Sequence, residues 1–381
     1  MFKTNVATTL DGLIDRCINM RVAVPDVYAT LKVVFPHMKL AGVVERRIKR
    51  VSAYREQLER LRMLPVVEQK SAAWYEIRQN LITASDFAQA LGEGKFGNQK
   101  QFFQKKCGYD DVPFNSELPP LKWGNMFEQV AQEIYALRNG CTIHEFGILQ
   151  HPVISHLGAS PDGITSDGVL LEIKCPWRRK INGEIPKQYY YQIQGQLDVC
   201  DLDECDYFEC EFEEGIDGFP CQESEVSEVS EESEEVAEVA GLSEEVAGFE
   251  PSGFERGAII EDLTLTDQSR YTYSEIRHDW TDEAVQAWVE TILGDAEDRE
   301  KYKVHYYVLQ ASLTMRVYRD KDFIKEKLDQ LSEVWDKIIE YRRDADLYKS
   351  EIQTTKRAST AKAKTLASAA SKLLNTSECL L

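Results

Sequence analysis

The chain has 381 residues, 43% of them hydrophobic and 29% charged, which at roughly 100–200 residues per domain allows one large domain or a few small ones around a sizeable core. A formal net charge of −20 speaks at first sight against a nucleic-acid protein, because phosphate repels acid and basic grooves are the usual footprint. No 18-residue apolar run is present, the first residues lack the apolar stretch of a signal peptide, and nine scattered Cys suit a reducing compartment, so an intracellular protein that is neither secreted nor membrane-bound is expected.

Residues 1–66 read as a basic helical region, with 12 Lys and Arg against six acids. Val44, Ile48, Val51, Tyr54, Leu58 and Leu61 recur at spacings of three and four, the signature of one buried helix face. Arg46, Arg47, Lys49 and Arg50 then fall to a solvated face, with a DNA-facing role as the second reading. From residue 67 to 216 the texture is mixed α/β. WYEIRQNLITASDFAQALG turns into a helix that Thr83 or Ser85 can cap, and LKWGNMFEQVAQEIYALRNG is a helix ending at Gly140. HLGASPDGIT and GVLLEIKCP read as strands joined by the turn SDG. KQYYYQIQGQLDVC reads as a helix and CDYFECEFEE as a strand.

Between Asp201 and Glu261 there are 22 acids and a single base, so this stretch holds −21 and the rest of the chain +1. Within it, residues 217–256 are a low-complexity acidic insertion with almost nothing to bury, expected to be disordered and to join two strands of one domain. Order resumes over 257–348, with strands at GAIIEDLTL and HYYVLQASLTMRVYRD and a helix presenting Ile324, Leu328, Leu331, Trp335 and Ile338. Residues 349–381 read as a flexible basic tail.

The chemistry concentrates in Ser160-Pro161-Asp162, nine residues, then Glu172-Ile173-Lys174. Two short strands and a turn bring Asp162 beside Glu172, and a spacing of two puts Glu172 and Lys174 on one sheet face. Two carboxylates and an ammonium are costly to bury together unless a hard divalent cation joins them. Such a cation takes carboxylate oxygens, and Lys174 can orient or help deprotonate a water attacking a phosphodiester. A surface hairpin with solvated charges is the plainer alternative for each residue singly.

This PD…EIK arrangement resembles the PD-(D/E)xK nuclease superfamily. Flanking segments narrow the likeness to the lambda exonuclease/YqaJ-type viral recombinase family: QKSAAWYEIRQNLITASDFAQALG, KWGNMFEQVAQEIY and YYYQIQGQLDV are similar to that family's motifs in order and spacing. The long insertion and the extra terminal parts look like versions from large DNA viruses. The resemblance implies a restriction-endonuclease-like α/β (α+β) core, a central mixed sheet flanked by helices, with 67–216 and 257–348 as its two parts and the N-terminal helices as an extension.

By position the resemblance implies Asp162, Glu172 and the Ile173 carbonyl as metal ligands, Lys174 serving the attacking water, and Glu128 approaching the metal. It implies Arg78, Ser85, Ser160 and Gln192 as a pocket for a 5′-phosphate, a role that the bidentate grip of Arg on phosphate suits. Read alone, Arg78 fits a surface helix, Ser85 a cap, Gln192 a merely polar position and Glu128 a solvated helix face. Arg178, Arg179, Lys180 and Lys187 can track a duplex or form an ordinary charged loop. Cys200, Cys205 and Cys210, with Cys175 and Cys221 further off, match no zinc or iron–sulfur spacing closely and are expected to be buried side chains.

The expected activity is Mg²⁺-dependent exonuclease action, with Mn²⁺ as the alternative ion, on one strand of double-stranded DNA from 5′ ends in recombination, replication or repair. An endonuclease or nickase with the same site, and a DNA-end-binding scaffold with an idle centre, are the rivals. The family further implies a single-strand-annealing partner and ring-shaped trimers, and for a viral protein the host cytoplasm or nucleus.

Overall fold

The computed structural model describes residues 10–353 except 21, 23, 96, 110–116, 216–249, 252–254, 278 and 295–297. It opens with α1 (Leu10–Asn19), α2 (Val24–Val34) and the long α3 (Ala41–Arg62). Next come α4 (Ala72–Gln79), β1 (Ile82–Thr83), a 3-10 turn at Ala84–Asp86, α5 (Phe87–Ala90), α6 (Gln99–Cys107) and α7 (Pro119–Asn139). Short strands follow: β2 (Ile143–His144), β3 (Leu149–Gln150), β4 (Leu157–Ala159), β5 (Gly163–Thr165) and β6 (Leu170–Lys174). The second half holds α8 (Lys187–Cys200), β7 (Glu204–Glu214), β8 (Glu250–Pro251), β9 (Arg256–Asp262), β10 (Tyr271–Tyr273), α9 (Asp282–Leu293), β11 (Tyr302–Tyr318), α10 (Lys321–Arg343) and α11 (Ala345–Tyr348).

The main sheet runs β10-β9-β11-β7-β6-β5-β2, with β8 also paired to β11. All of its pairings are antiparallel except β6 with β7, which makes the sheet mixed as the resemblance implied. A smaller sheet, β1-β4-β3, separates β4 from β5, so HLGASPDGIT is two strands in two sheets and not one run. Alternation along β6 decides the layers. Leu170 faces a core with Leu58 and Leu61 of α3 and Ile193 and Leu197 of α8. Leu171 and Ile173 face the other side, against Met126, Phe127, Val130 and Ile134 of α7.

Helix α3 is thus part of the main core, and its Arg47 lies within it at 2% exposure, bonded to Asp15 at 2.7 Å and 2.6 Å and to Glu204 at 2.5 Å. That corrects the solvated-face reading of Arg47: a guanidinium lies among the apolar positions because carboxylates from α1 and β7 meet it there. The acidic insertion lies mostly outside the described residues, but Glu250–Pro251 already pairs with β11 and Glu255 is buried against Arg138, so the sheet resumes earlier than 257. Of the tail, residues 349–353 continue α11 as one wide turn and the rest lies outside the described residues. Among the described residues no helix is long and apolar enough to cross a membrane.

Candidate active site

The hairpin β5–β6 is closed by the expected Ser-Asp-Gly turn, where Gly168 has a φ of +74° and a Cβ would press on the Tyr54 carbonyl oxygen at 2.5 Å. Glycine is required there both for the left-handed backbone and for the approach of α3. Gly163 pairs with Leu171, which leaves Asp162, one residue earlier, opposite the end of β6. Its carboxylate accepts the Ile173 N–H at 2.7 Å. Glu172 is fully buried, and each of its oxygens is held: Gln196 Nε2 donates to Oε2 at 2.8 Å, and the Lys174 ammonium bonds Oε1. Lys174 also donates to the Ile173 carbonyl at 3.1 Å and lies 5.1 Å from the centre of the Tyr189 ring. The expected trio therefore meets at the end of β6, with Glu172 and Lys174 on one face.

Glu128 approaches from α7 and joins the cluster electrostatically. Burial pushes the Asp162 carboxyl well above its ordinary range, and the charges of Glu172 and Glu128 push the same way. Burial likewise raises Glu128, opposed by Lys70 and Lys174 and reinforced by Glu172 and Glu145. Burial alone would lower Lys174, but Glu172 and Asp162 outweigh it and hold the ammonium firmly charged. Carboxyls crowded enough to resist ionising together are the environment that a divalent cation relieves. Two of the expected donors, the Glu172 carboxylate and the Ile173 carbonyl oxygen, already converge on one cation, the ammonium of Lys174. These are hard oxygens, and they fit Mg²⁺ or Mn²⁺. Among the described residues no three His, Cys, Asp or Glu side chains form a ready-made metal site.

The second expected group assembles around an aromatic ring. Helix α4 is capped by Ser71, whose side chain accepts Trp74 N–H, and it carries Trp74 and Arg78 on one face. The Arg78 guanidinium lies 4.8 Å from the Trp74 ring centre and its Nη2 donates to Ser85 Oγ at 2.7 Å. Trp74 Nε1 donates to Ser160 Oγ at 3.1 Å. Arg78, Ser85 and Ser160 are thereby brought together, two residues from Asp162. Ser85 is not the cap; Thr83 is, through a capping box with Asp86. Gln192 sits on α8 three residues before Gly195, where a Cβ would lie 2.7 Å from the Phe87 ring and 3.0 Å from the Ala84 Cβ. It thus shares the side of α8 that meets the Ser85 segment, although no bond from it joins the cluster among the described contacts.

Sequence reasoning missed Gln196, Tyr189, Trp74 and Glu209. Gln196 and Tyr189 share a helical face with Gln192 at spacings of four and three, the one signal that could have found them. Glu209 pairs in register with Lys174 across β6 and β7 and is fully buried. Burial pushes its carboxyl up despite the partnering guanidinium of Arg179.

Arg179 pairs with Glu209, Lys180 with Glu211 and Lys187 with Glu93, while Arg178 stacks 4.1 Å from the Trp177 ring centre. Four of these cysteines are free and buried, with Cys200 and Cys205 in the core on the α8 side and Cys175 and Cys210 on the α7 side, and Cys221 lies outside the described residues. Cys205 and Cys210 are five apart on one strand and so point to opposite faces.

Residues 73–203 match the model of the YqaJ-like viral recombinase domain, a span that contains every expected site residue. An uncharacterized protein of Acanthamoeba polyphaga mimivirus is 29% identical over 76% of this chain and 56% of its own length. A protein of African swine fever virus is 27% identical over 34% of this chain and 46% of its own. The chain spans about half the length of these viral relatives. Among solved structures, an alkaline exonuclease from Laribacter hongkongensis is 17% identical with a TM-score of 0.39, covering 76% of this chain and 99% of that one. A phage-related exonuclease from Haemophilus somnus is 14% identical with a TM-score of 0.32, covering 68% and 95%.

Proposed function

We propose that the YqaJ-like viral recombinase domain of this chain is a divalent-metal-dependent DNA exonuclease that hydrolyses phosphodiester bonds from 5′-phosphorylated ends of duplex DNA. The observation that carries the reading is the end of β6, where Asp162, Glu172 and Lys174 share one small volume and Gln196 fixes Glu172. Asp162, Glu172 and the Ile173 carbonyl would hold Mg²⁺ or Mn²⁺, which supplies Lewis-acid polarisation of the scissile phosphate and an acidified water. The chain's own contribution is placement. Gln196 and Lys174 set the orientation of Glu172, and the Lys174 ammonium orients the attacking water. Arg78, backed by the Trp74 ring and bonded to Ser85, offers donors to a terminal phosphate, with Ser160 and Gln192 beside it. Anchoring that phosphate would fix which bond lies at the carboxylates, and so favour cutting from an end.

The test is digestion of duplexes carrying a 5′-phosphate, a 5′-hydroxyl or a 3′ label, with and without Mg²⁺, by wild type and Lys174→Ala. Metal-dependent release of nucleotides from the 5′-phosphate end by wild type alone is expected. Cutting of a closed circle would favour an endonuclease, and equal background release by both proteins would leave an end-binding scaffold. A role in recombination with an annealing partner, and a trimeric assembly, belong to the same proposal.

A further inference from the structure

Lys70 is one of two described non-glycine residues with a left-handed backbone, at a φ of +64°. The other, Asp201, terminates α8, where a short polar side chain is commonly accepted. Nothing of the kind excuses a lysine, and residues held in this region persist only where their surroundings fix them. The surroundings do. Gly147 stands where a Cβ would lie 1.6 Å from the Val67 carbonyl oxygen, and Gln69 donates to the Phe146 carbonyl at 2.9 Å. Ser71 Oγ donates to the Glu68 carbonyl at 2.7 Å while capping α4. The turn is clamped on both sides of Lys70, immediately before the helix that carries Trp74 and Arg78.

The consequence is the direction of the side chain. Lys70 is exposed, yet its ammonium lies 3.4 Å from Asn125 Oδ1 and 3.4 Å from Gln268 Oε1. Asn125 is one turn before Glu128 on α7, and Gln268 is itself bonded to the Asn125 carbonyl at 3.0 Å. A cation is thus held at the mouth of the site by neutral oxygens. Arg179, Lys180 and Lys187, by contrast, are each neutralised by a carboxylate. Carboxamide oxygens orient the ammonium without cancelling its charge, which reaches the nearby Glu128 carboxyl and is placed to meet an anion that arrives with the substrate.

We propose that Lys70 is a DNA-backbone contact: its ammonium leaves the carboxamide oxygens of Asn125 and Gln268, or shares them, to bind a phosphate of the duplex on the α7 side of the catalytic centre. The inference rests on the nuclease reading above and adds a residue outside the matched span of 73–203.

The experiment is equilibrium binding of a fluorescent 5′-phosphorylated duplex to the full chain in EDTA, across a salt series, for wild type, Lys70→Gly and Lys70→Arg. Melting temperatures and Mg²⁺-dependent cleavage by wild type run in parallel. Lys70→Gly suits the left-handed backbone, so its melting temperature should not fall. Loss of one phosphate contact should make the slope of log K against log salt shallower by about 0.9, and affinity at about 0.1 M salt lower by about eightfold. Lys70→Arg should keep the wild-type slope. A Lys70→Gly protein with wild-type slope and affinity overturns the proposal while leaving cleavage by wild type, and so the nuclease reading, intact. Equal weakening by Gly and Arg with no change of slope also overturns it, because a structural turn would then be the cause. Wild type that neither binds nor cuts duplex overturns both.

Discussion

Gln196→Leu is the sharpest probe of how the centre is built. The Gln196 amide donates to Glu172 Oε2 at 2.8 Å with both side chains buried, and its own Oε1 has no hydrogen-bond partner among the described residues. A hydrogen bond to a charged group contributes about 1.5–3 kcal/mol. Leucine forfeits that bond but also removes a buried orphan acceptor, so the net cost to folding should sit at or below the lower end of that range. Function should suffer more. Glu172 keeps Lys174 on Oε1 but loses the fixed aim of Oε2, and outer partners of metal-holding carboxylates typically contribute about 10–100-fold in metal affinity or activity. The assay is exonuclease rate against Mg²⁺ concentration, alongside thermal melting. The expected result is a rise of the half-saturating Mg²⁺ concentration by at least about tenfold, with a melting temperature within a few degrees of wild type. Unchanged Mg²⁺ dependence and rate in a folded Gln196→Leu protein would refute the assignment of Glu172 as a ligand positioned by α8.

Arg78→Ala should abolish the preference for 5′-phosphate over 5′-hydroxyl ends, a loss of roughly tenfold or more for a charge-assisted contact, read as the ratio of cleavage rates on the two substrates. Arg47→Met strands Asp15 and Glu204 with Arg316 as their remaining buried guanidinium partner and should cost about 3–5 kcal/mol in urea unfolding. The same measurement against pH carries a sign. Burial would raise Glu204, but Arg316, Arg47 and Tyr54 bring it to about 2, below its usual 4.5, so its stabilisation is complete above pH 4.5 and is lost as pH falls toward 2. In Arg47→Met that acid limb should be shallower, and an identical limb would show that Arg47 does not hold Glu204 ionised.

The elements legible in the sequence are those with strong periodic or punctuation signals. The α7 helix ends at Gly140, α8 spans the stretch read as helical, and β5–β6 turns at Gly168, because glycine positions and apolar alternation act locally. Asp162, Glu172 and Lys174 were legible for the same reason, since two residues of strand and one tight turn set their relation. Arg47 was not. It lies on the face of α3 shared by Val44 and Val51, where its charge suggested solvent, and what buries it are Asp15 and Glu204, the latter 157 positions away. Gln196, Glu209 and Lys70 were hidden likewise. Beyond the spacing of Gln196 from Gln192, an amide on a helix, an acid on a strand and a lysine before a cap carry no pattern until α8, β7 and α7 are brought against β6.

Net charge invites a final correction from geometry. The chain outside Asp201–Glu261 carries +1, yet its interior spends guanidinium groups on buried carboxylates, as Arg47, Arg138 and Arg316 do. What matters for DNA is where the acid is tethered. β6 and β7 are parallel, with Lys174 level with Glu209, and β7 continues to Glu214 before the insertion departs. At about 3.3 Å per residue the departure point lies about 17 Å beyond Lys174, at the same end of the sheet. Deleting Glu223 to Gly248 removes ten acids and no base. The screening length is about 30 Å at 0.01 M salt and about 10 Å at 0.1 M, so 17 Å falls between the two. The deletion should therefore tighten duplex binding at about 0.01 M salt and change it little at about 0.1 M. Equal affinity of the two proteins at the lower salt would refute competition between the insertion and DNA and leave the acidic segment as a partner-binding or solubilising spacer.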